Sequence, residues 1–383
     1  MHNDEGLLGL FPAEINSRIA PAASFRGKQI FRWLHLHGST SFSEMSNLPA
    51  ELKDRLQAEV PLYTTNVDVV SPAVDGTVKL RLKLSDGLMV ESVLLSDAAG
   101  RPILRRAGDH VPVAVAVHVT RMTACLSTQV GCAMGCSFCK TATMGLVRNL
   151  NASEIIEQLY RLEELPGTHG EAKGKIDSIV FMGMGEPLNN YEAFSRSVGL
   201  LTHCDGRGMS PRRLTVSTSG ITRGIDRLAA DFPQLRLAAS LVTADPALRL
   251  ALMPVEQSNP LPRLKQSLIA YQKAGGRRVT LEYVLLRGIN DRAEDPELVA
   301  QFARGLNCNI NLIPWNPATG IPAIRLPDGR TASLAEPDES GVKGFSRELE
   351  KRGLPVVVRY RKGRGVNAAC GQLATEKSEA TAD

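Results

Sequence analysis

The chain has 383 residues and a formal net charge of +5, with 43% hydrophobic and 22% charged residues. This composition is typical of a globular protein and excludes a highly charged disordered chain. The first residues lack the basic and apolar regions of a secretory signal, and the apolar runs are too short to span a bilayer. Because seven unevenly spaced cysteines do not suggest a secreted disulfide framework, we predict a cytoplasmic protein whose thiols serve metal or redox chemistry.

The first part of the chain has a helical pattern. Ile30, Trp33 and Leu34 recur at helical spacing, and residues 47–49 form the start signal of a second helix. We therefore predict a small helical domain over residues 1–60.

The next segment has the alternating pattern of short strands. In KLRLKLSDGLMVESVLL, Asp86 and Gly87 separate two apolar-polar alternations, which is a hairpin signal. Residues 98–110 are rich in Gly, Arg and Asp and are predicted to be an exposed loop. We predict a β-rich connecting segment over residues 61–120.

From residue 121 onward, strands and helices alternate. The candidate strands are residues 124–128, 176–182, 213–217, 235–241, 278–286 and 309–313. Six βα units in order predict a parallel sheet with right-handed crossovers, either doubly wound or curled into a partial barrel. Periodicity does not distinguish the two, but in both the functional residues lie at the C-terminal ends of the strands. We predict one α/β catalytic domain over residues 121–375 and a disordered tail over residues 376–383.

Three cysteines follow the first of these strands. Cys132, Cys136 and Cys139 are separated by three residues and then two, and no fourth cysteine follows nearby. Three thiolates on a cluster of four irons leave one iron open, whereas a structural zinc site needs a fourth ligand, for which Cys125 is the candidate. The C-x3-C-x2-C spacing resembles the signature of the radical S-adenosylmethionine (SAM) superfamily, in which SAM completes a [4Fe-4S] cluster.

Further polar motifs follow other predicted strands. Gly185 and Glu186 lie in GMGEP, Ser217 begins STSG, and Asn316 lies in PWNP. Glycine lets the backbone approach a ligand closely, and the carboxylate, hydroxyl and amide can bind polar groups. A tight βα turn, a helix cap and a turn asparagine are the alternative interpretations.

Together the motifs point to a family. The strings CLSTQVGCAMGCSFCKTATMG, FMGMGEPLNN, RRLTVSTSGI, NLIPWNP and AACGQL closely resemble the RlmN/Cfr family, radical SAM methyltransferases that methylate an adenosine in large-subunit ribosomal RNA. The resemblance implies a partial (β/α)6 barrel of radical SAM type, with the [4Fe-4S] cluster on Cys132, Cys136 and Cys139. It also implies a SAM pocket formed by Gly185, Glu186, Ser217, Ser240, Leu241, Val242 and Asn316. The helical segment over residues 1–60 would then be an accessory RNA-binding domain.

The same resemblance implies two catalytic thiols. Cys370 matches the cysteine that becomes S-methylated, Cys125 matches the cysteine that resolves the product, and Glu91 matches a proton acceptor. The expected product is an adenosine methylated at carbon 2 in ribosomal RNA, with transfer RNA open as a second substrate. An electron donor such as flavodoxin or ferredoxin is the implied partner, and we expect a monomer. Carbon 8 methylation and a non-catalytic, zinc-stabilised RNA-binding protein stay open as alternatives.

The chain departs from the family pattern in two places. Val242 stands where the family usually has histidine, and the stretch between Glu91 and Cys125 is longer than expected. We expect Cys204 and Cys308 to be small buried hydrophobic residues. The candidates for phosphate contacts are Arg26, Lys28, Arg32, Arg359, Arg361, Lys362 and Arg364.

Overall fold

The computed structural model describes residues 6–96, 122–165, 176–275, 277–359, 363 and 366–375. Its first elements are helices α1 (Pro12–Arg18), α2 (Arg26–Arg32) and α3 (Ala50–Glu59), and α2 continues into a π-helical turn over Trp33–His37. Ile30 and Leu34 are buried in the main core, as their helical spacing predicts. Pro49 directly precedes α3, since proline fits the start of a helix better than its interior.

Four antiparallel strands follow, and they form one side of the main sheet. They are β1 (Asn66–Pro72), β2 (Val78–Lys83), β3 (Met89–Ser96) and β4 (Met122–Cys125). The turn between β2 and β3 contains Asp86 and Gly87, and the Leu84 N–H donates to the Leu88 carbonyl oxygen at 2.8 Å. The predicted hairpin is therefore confirmed. Because β3 pairs with β4, the hairpin extends the sheet of the following segment.

The second half of the chain supplies parallel strands. A short hairpin of β5 (Gln129–Gly131) and β6 (Leu146–Asn149) comes first. The strands that follow are β7 (Ser178–Phe181), β8 (Leu214–Thr218), β9 (Arg236–Ser240), β10 (Val279–Leu285), β11 (Cys308–Pro314), the small pair β12 (Ile324–Arg325) and β13 (Thr331–Ala332), and β14 (Val356–Val358). All six predicted strands are present, each within a few residues of its expected bounds.

Helices connect the parallel strands. They are α4 (Ala152–Glu163), α5 (Tyr191–Thr202), α6 (Thr222–Asp231), α7 (Pro246–Leu252), α8 (Leu261–Lys273), α9 (Asp295–Ala303) and α10 (Glu339–Lys351). The first of them begins with a capping box, in which the Asn151 side chain accepts from the Glu154 N–H at 2.8 Å and the Glu154 carboxylate accepts from the Asn151 N–H at 2.9 Å.

Strand order decides between the two predicted architectures. Within the described residues, the parallel strands lie in the order β4-β7-β8-β9-β10-β11-β14, each beside the next in sequence. A doubly wound sheet reverses its strand order at a switch point, whereas a barrel does not. The observed order is that of a partial (β/α)6 barrel with one added edge strand, which confirms the predicted fold class.

The N-terminal helices pack against the outside of this barrel. Nδ1 of His35 lies 3.0 Å from the Tyr160 hydroxyl of α4, and the guanidinium of Arg161 stacks 3.7 Å from the ring centre of Tyr63. Buried Glu157 accepts hydrogen bonds from the backbone of the segment that leads into β1.

The division of the chain at residues 60 and 120 stays a prediction, as does the tail over residues 376–383, which lies outside the described residues. None of the described helices combines the length and apolarity that a bilayer crossing requires.

Candidate active site

The three clustered cysteines lie on the loop between β5 and β6, at the C-terminal end of the barrel. The Cys132 N–H donates to the Gly145 carbonyl oxygen at 2.8 Å, and the Cys139 N–H donates to the Cys136 carbonyl oxygen at 3.1 Å. The loop begins at Gly131, where a Cβ atom would lie 1.8 Å from the Gly145 oxygen, so only glycine fits. All three cysteines line one cavity, which we call the first cavity.

The thiols of this loop suit a metal cluster. Burial raises the pKa of Cys132 to about 12 and raises the pKa of Cys136 well above its usual range, and neighbouring thiols of the set add to both shifts. Such thiols are held protonated by the protein alone and become thiolates when a cation binds. Cys125 lines a different cavity from these three cysteines, so the geometry does not favour Cys125 as the fourth ligand of a zinc site.

The GMGEP motif packs tightly beside the cysteine loop. Gly185 has φ = +99°, and a Cβ atom there would lie 2.5 Å from the Cβ of Gln129. The glycine therefore serves close packing against β5, which the sequence did not reveal. Glu186 is buried, and its carboxylate accepts from the Ser219 N–H at 2.7 Å and from the Leu188 N–H at 3.0 Å. Glu186 thus ties GMGEP to STSG, although burial still raises its pKa.

A second carboxylate in the first cavity was not predicted. Glu282, on β10, accepts a hydrogen bond from Oγ of Ser217 at 2.9 Å, and both residues line the cavity. Burial raises the pKa of Glu282. An acidic residue in the middle of the apolar strand VTLEYVLL was the available signal, because a buried strand rarely keeps a carboxylate without a role.

A buried arginine holds the C-terminal end of β9, and the sequence patterns did not reveal this residue either. Nη2 of Arg249, on α7, donates to the carbonyl oxygens of Ser219 at 2.9 Å and Ser240 at 3.1 Å, and Nε donates to Leu241 at 3.2 Å. Nη1 contacts Glu256 at 2.5 Å, and the Arg249 side chain is fully buried. Arg249 thus fixes the backbone of two loops at the first cavity. In sequence it is one of many arginines on a helix.

The three residues predicted for the SAM pocket at the end of β9, Ser240, Leu241 and Val242, have different positions relative to the first cavity. Ser240 lines the first cavity. Leu241 and Val242 are fully buried, and neither residue lines this cavity. Val242 adopts φ = +61°, a left-handed conformation that is rare for a β-branched residue. Its carbonyl oxygen accepts from Nδ2 of Asn290 at 2.8 Å, which holds the turn.

Asn316 and Cys370 separate the first cavity from a second one. Both residues line both cavities, and Cys125 lines the second, whose volume is about 390 Å³. Cys370 is exposed toward the two cavities that it lines, while desolvation by the surrounding protein raises the pKa of its thiol. Burial also raises the pKa of Cys125. Oδ1 of Asn316 is buried and has no partner among the described residues, so it is available to a donor group of a ligand such as SAM.

Glu91 lies apart from both cavities. Its carboxylate forms an ion pair with Lys79 at 2.8 Å and accepts from the Ala374 N–H at 3.1 Å. The residue is 4% exposed and lines neither cavity. It therefore fastens the segment after Cys370 to β3, and its role as proton acceptor stays a prediction.

The remaining candidates have mixed outcomes. Cys308 is buried at the start of β11, as expected, but the expectation for Cys204 was wrong, because Cys204 is exposed in a turn after α5. Lys28 and Arg32 pair with Asp205 at 3.0 and 3.5 Å. Arg361, Lys362, Arg364 and most of the stretch between Glu91 and Cys125 lie outside the described residues.

Two family models match this chain. The model of the radical SAM superfamily matches residues 126–303, which contain the cysteine loop and most of the barrel. The model of the ribosomal RNA large subunit methyltransferase N-terminal domain matches residues 20–61, which contain α2 and α3.

Full-length relatives agree with both models. The chain is 42% identical over 367 residues to a probable dual-specificity RNA methyltransferase RlmN of Treponema pallidum (strain Nichols), covering 96% of each chain. It is 42% identical to the dual-specificity RNA methyltransferase RlmN of Sorangium cellulosum (strain So ce56), covering 91% of this chain and 90% of the relative. The crystal structure of a radical SAM methyltransferase from Sphaerobacter thermophilus is similar at a TM-score of 0.81 and 36% identity, covering 96% of this chain and 99% of that one.

Proposed function

Because the chain belongs to the RlmN family of radical SAM ribosomal RNA methyltransferases, we propose that it methylates carbon 2 of an adenosine through a methyl group carried on Cys370. As a member of this family it is an RNA-methylating enzyme that uses a [4Fe-4S] cluster and SAM. The observation that carries the proposal is the position of Cys370, which faces the three-cysteine loop through the first cavity and Cys125 through the second.

The residues of the first cavity fit the two cofactors. Cys132, Cys136 and Cys139 would hold the cluster, and a cradle of polar groups would hold SAM. These groups are Glu186, Ser217, Ser240, Glu282 and Asn316. When bound, the cofactors supply the methyl group and the one-electron chemistry that activates it. Such chemistry suits the target, because an electron-poor ring carbon does not act as a nucleophile toward a methyl donor.

Cys370 and Cys125 perform the protein's part of the transfer. The Cys370 sulfur carries the methyl carbon to the adenine ring, so the nucleotide is joined to the protein through this sulfur during the reaction. The Cys125 thiolate then attacks the Cys370 sulfur and forms a disulfide, while the bond between that sulfur and the transferred carbon breaks. The carbon keeps the electron pair of this bond and takes up a proton, which completes the methyl group on the ring. Burial raises the pKa of Cys125, so a base must accept its proton before attack.

The disulfide must be reduced before another turnover, so the proposed cycle needs a reducing compartment such as the cytoplasm. A one-electron donor such as flavodoxin or ferredoxin is the expected partner of the cluster. We further propose that the chain acts as a monomer and that transfer RNA is a second substrate.

Mass spectrometry of ribosomal and transfer RNA from a deletion strain tests the proposal. We expect 2-methyladenosine to be lost from one position of the ribosomal RNA and from transfer RNA, and to be restored in both by the wild-type chain. A loss of 8-methyladenosine instead would assign the other ring carbon, and an unchanged set of methylated adenosines would refute RNA methylation.

Cysteine variants test the role of Cys370. Cys370→Ala should keep the iron content of the wild type and lose RNA methylation. Cys204→Ala, which removes an exposed thiol outside both cavities, is the matched control and should methylate normally. Continued turnover of Cys370→Ala would contradict the carrier role.

A further inference from the structure

The second cavity has arginines at the end of the barrel that lies opposite the cysteine loop. Arg213 directly precedes β8 and Arg236 begins β9, so both lie where parallel strands start. Arg236 also lines a third cavity of about 390 Å³, together with Arg277 and Arg278 before β10. We call these four residues the arginine-lined opening. No function described above uses them.

A row of paired residues connects this opening to the catalytic thiols. Cys125 pairs with Val180, Val180 with Thr215, and Thr215 with Arg236, each on the next strand of the barrel. All four residues line the second cavity. Neighbouring strands are about 4.8 Å apart, so three steps separate Cys125 from Arg236 by roughly 14 Å along the sheet. The opening and the thiols therefore lie on one continuous wall of the second cavity.

The charges of the opening are largely uncompensated. Within the part of the chain that the structure describes, the side chains of Arg236, Arg277 and Arg278 have no hydrogen-bond or ion-pair partner. Among the described residues, Arg213 makes only a 3.9 Å contact with the Asp177 carboxylate and a 3.5 Å hydrogen bond to the Asp177 carbonyl oxygen. Like charges gathered at one opening repel each other, so an anion that binds there relieves the repulsion.

The N-terminal helices differ in this respect. Lys28 and Arg32 share Asp205, and Arg26 donates to Gln29 and to the Asn47 carbonyl oxygen. These side chains are already engaged with the protein. The free guanidinium groups at the opening are therefore better placed to bind phosphate than these three side chains of the N-terminal helices.

The interior between the opening and the thiols suits a nucleobase. Oγ1 of Thr123 and Oγ of Ser178 lie 2.8 Å apart on the cavity wall, and Val93 and Leu95 form an apolar wall near them. A flipped base needs both hydrogen-bonding groups for its edge and apolar side chains for its faces. Arg359 lines the same cavity and adds a further positive charge.

We propose that the arginine-lined opening binds the phosphates that flank the target adenosine, so that the base enters the barrel from the N-terminal ends of its strands. The adenine then reaches Cys370 from the second cavity, while SAM occupies the first cavity on the other side of that residue. Guanidinium groups suit this task because they bind phosphate oxygens in a bidentate manner. The inference rests on the proposed function, since it names where the RNA of that reaction binds.

The salt dependence of RNA binding tests the inference. The probe is unmethylated large-subunit RNA from the deletion strain, and the proteins are the wild type, Arg236→Ala and the double variant Arg213→Ala/Arg236→Ala. Removing one phosphate contact should lower the slope of log K against log salt by about 0.7 for single-stranded RNA. We expect the dissociation constant at physiological salt to rise roughly fivefold for each arginine. Arg236→Lys should restore most of the slope, because it keeps the charge.

The matched control is Arg325→Ala. Arg325 is exposed on β12, and its neighbour Ile324 belongs to a buried cluster against which Cys136 and Phe138 of the cysteine loop pack, so this arginine lies at the cysteine-loop end of the barrel. Its loss should leave RNA binding unchanged. Iron content and melting temperature show that each variant is folded and loaded.

The possible outcomes are distinct. Weakened binding and a lower slope for the opening variants alone support the inference. Weakened binding for Arg325→Ala alone would mean that RNA approaches from the cysteine-loop end, and unchanged binding for every variant would equally overturn the proposal. In both of these cases the proposed function stands as long as the wild type methylates the RNA. If the wild type methylates no adenosine, the proposed function itself fails.

Discussion

Nδ2 of Asn316 donates a hydrogen bond to the carbonyl oxygen of Cys370 at 3.3 Å, while Oδ1 of the same side chain is buried without a partner among the described residues. One amide therefore positions the proposed methyl carrier and offers a free acceptor beside the two cavities that Asn316 lines. A buried acceptor of this kind is costly unless a ligand satisfies it.

We predict that Asn316→Ala weakens SAM binding about tenfold, the upper range for one neutral hydrogen bond. Equilibrium dialysis with labelled SAM measures this effect on the cluster-loaded protein. Asn307→Ala, an exposed position just before β11, is the control. Equal SAM affinity of Asn316→Ala and the wild type would show that Oδ1 does not contact the cofactor.

The Lys79–Glu91 ion pair gives a second prediction. Their side chains are 15% and 5% exposed, so Lys79→Met leaves a buried carboxylate without its partner. We expect the free energy of unfolding to fall by about 3–5 kcal/mol, and the double variant Lys79→Met/Glu91→Gln to recover most of it. Denaturant titration measures both, and Lys351→Met, which breaks an exposed pair with Glu348, should cost less than about 1 kcal/mol.

The single variant Glu91→Gln separates two roles of this residue. Glutamine keeps an acceptor for the Ala374 N–H but cannot take up a proton at neutral pH. If Glu91 only fastens the segment after Cys370, RNA methylation stays within a few-fold of the wild-type rate. A loss of a hundredfold or more, which is the usual contribution of a general base, would instead support the proton-acceptor role implied by the family.

We expect Arg249 to make a large contribution to the free energy of unfolding, because it holds the backbone around the first cavity. Arg249→Leu leaves Glu256 buried and unpaired and removes the donors that hold the Ser219 and Ser240 carbonyl oxygens. We predict a loss of about 3–5 kcal/mol in the free energy of unfolding. Arg263→Leu is the control, because its pair with Asp226 is largely exposed and contributes less than about 1 kcal/mol. Similar losses for the two variants would contradict the structural role of Arg249.

The buried carboxyl group of Glu282 should make the free energy of unfolding depend on pH. Burial raises its pKa in the folded state above the unfolded value of about 4.3. The stabilising contribution of the neutral carboxyl is therefore complete below that unfolded value and is lost as the pH rises through the folded-state pKa. Glu282→Gln removes this loss and can still accept from Ser217. At pH 8 the variant should thus be more stable than the wild type.

Urea titrations of the cluster-free protein between pH 4 and pH 8 measure the difference. It should shrink toward zero at the acidic end, where the wild-type carboxyl is neutral. Glu51→Gln, which replaces an exposed carboxylate on α3, serves as the control. A difference that stays constant across the range would mean that Glu282 does not titrate there.

Much of the fold could be predicted because its signals are local. Alternation of apolar residues and Asp86-Gly87 defined the β2–β3 hairpin, and six apolar runs separated by helical patterns defined the barrel strands. Edge strand β14 was not predicted, because three exposed or half-exposed valines carry no alternating pattern. Its place beside β11 depends on pairing between distant parts of the chain.

The sequence by itself determined the chemistry of the metal centre, since three cysteines with short spacing must lie on one loop whatever surrounds them. It also marked Cys125 and Cys370 through their motifs. Only the tertiary structure decided that Cys370 lies between two cavities, that Glu91 is paired with Lys79, and that Arg249 is buried. These relations join residues far apart in the chain. Burial and pairing at such distances depend on how the strands close into a barrel, which no local pattern contains.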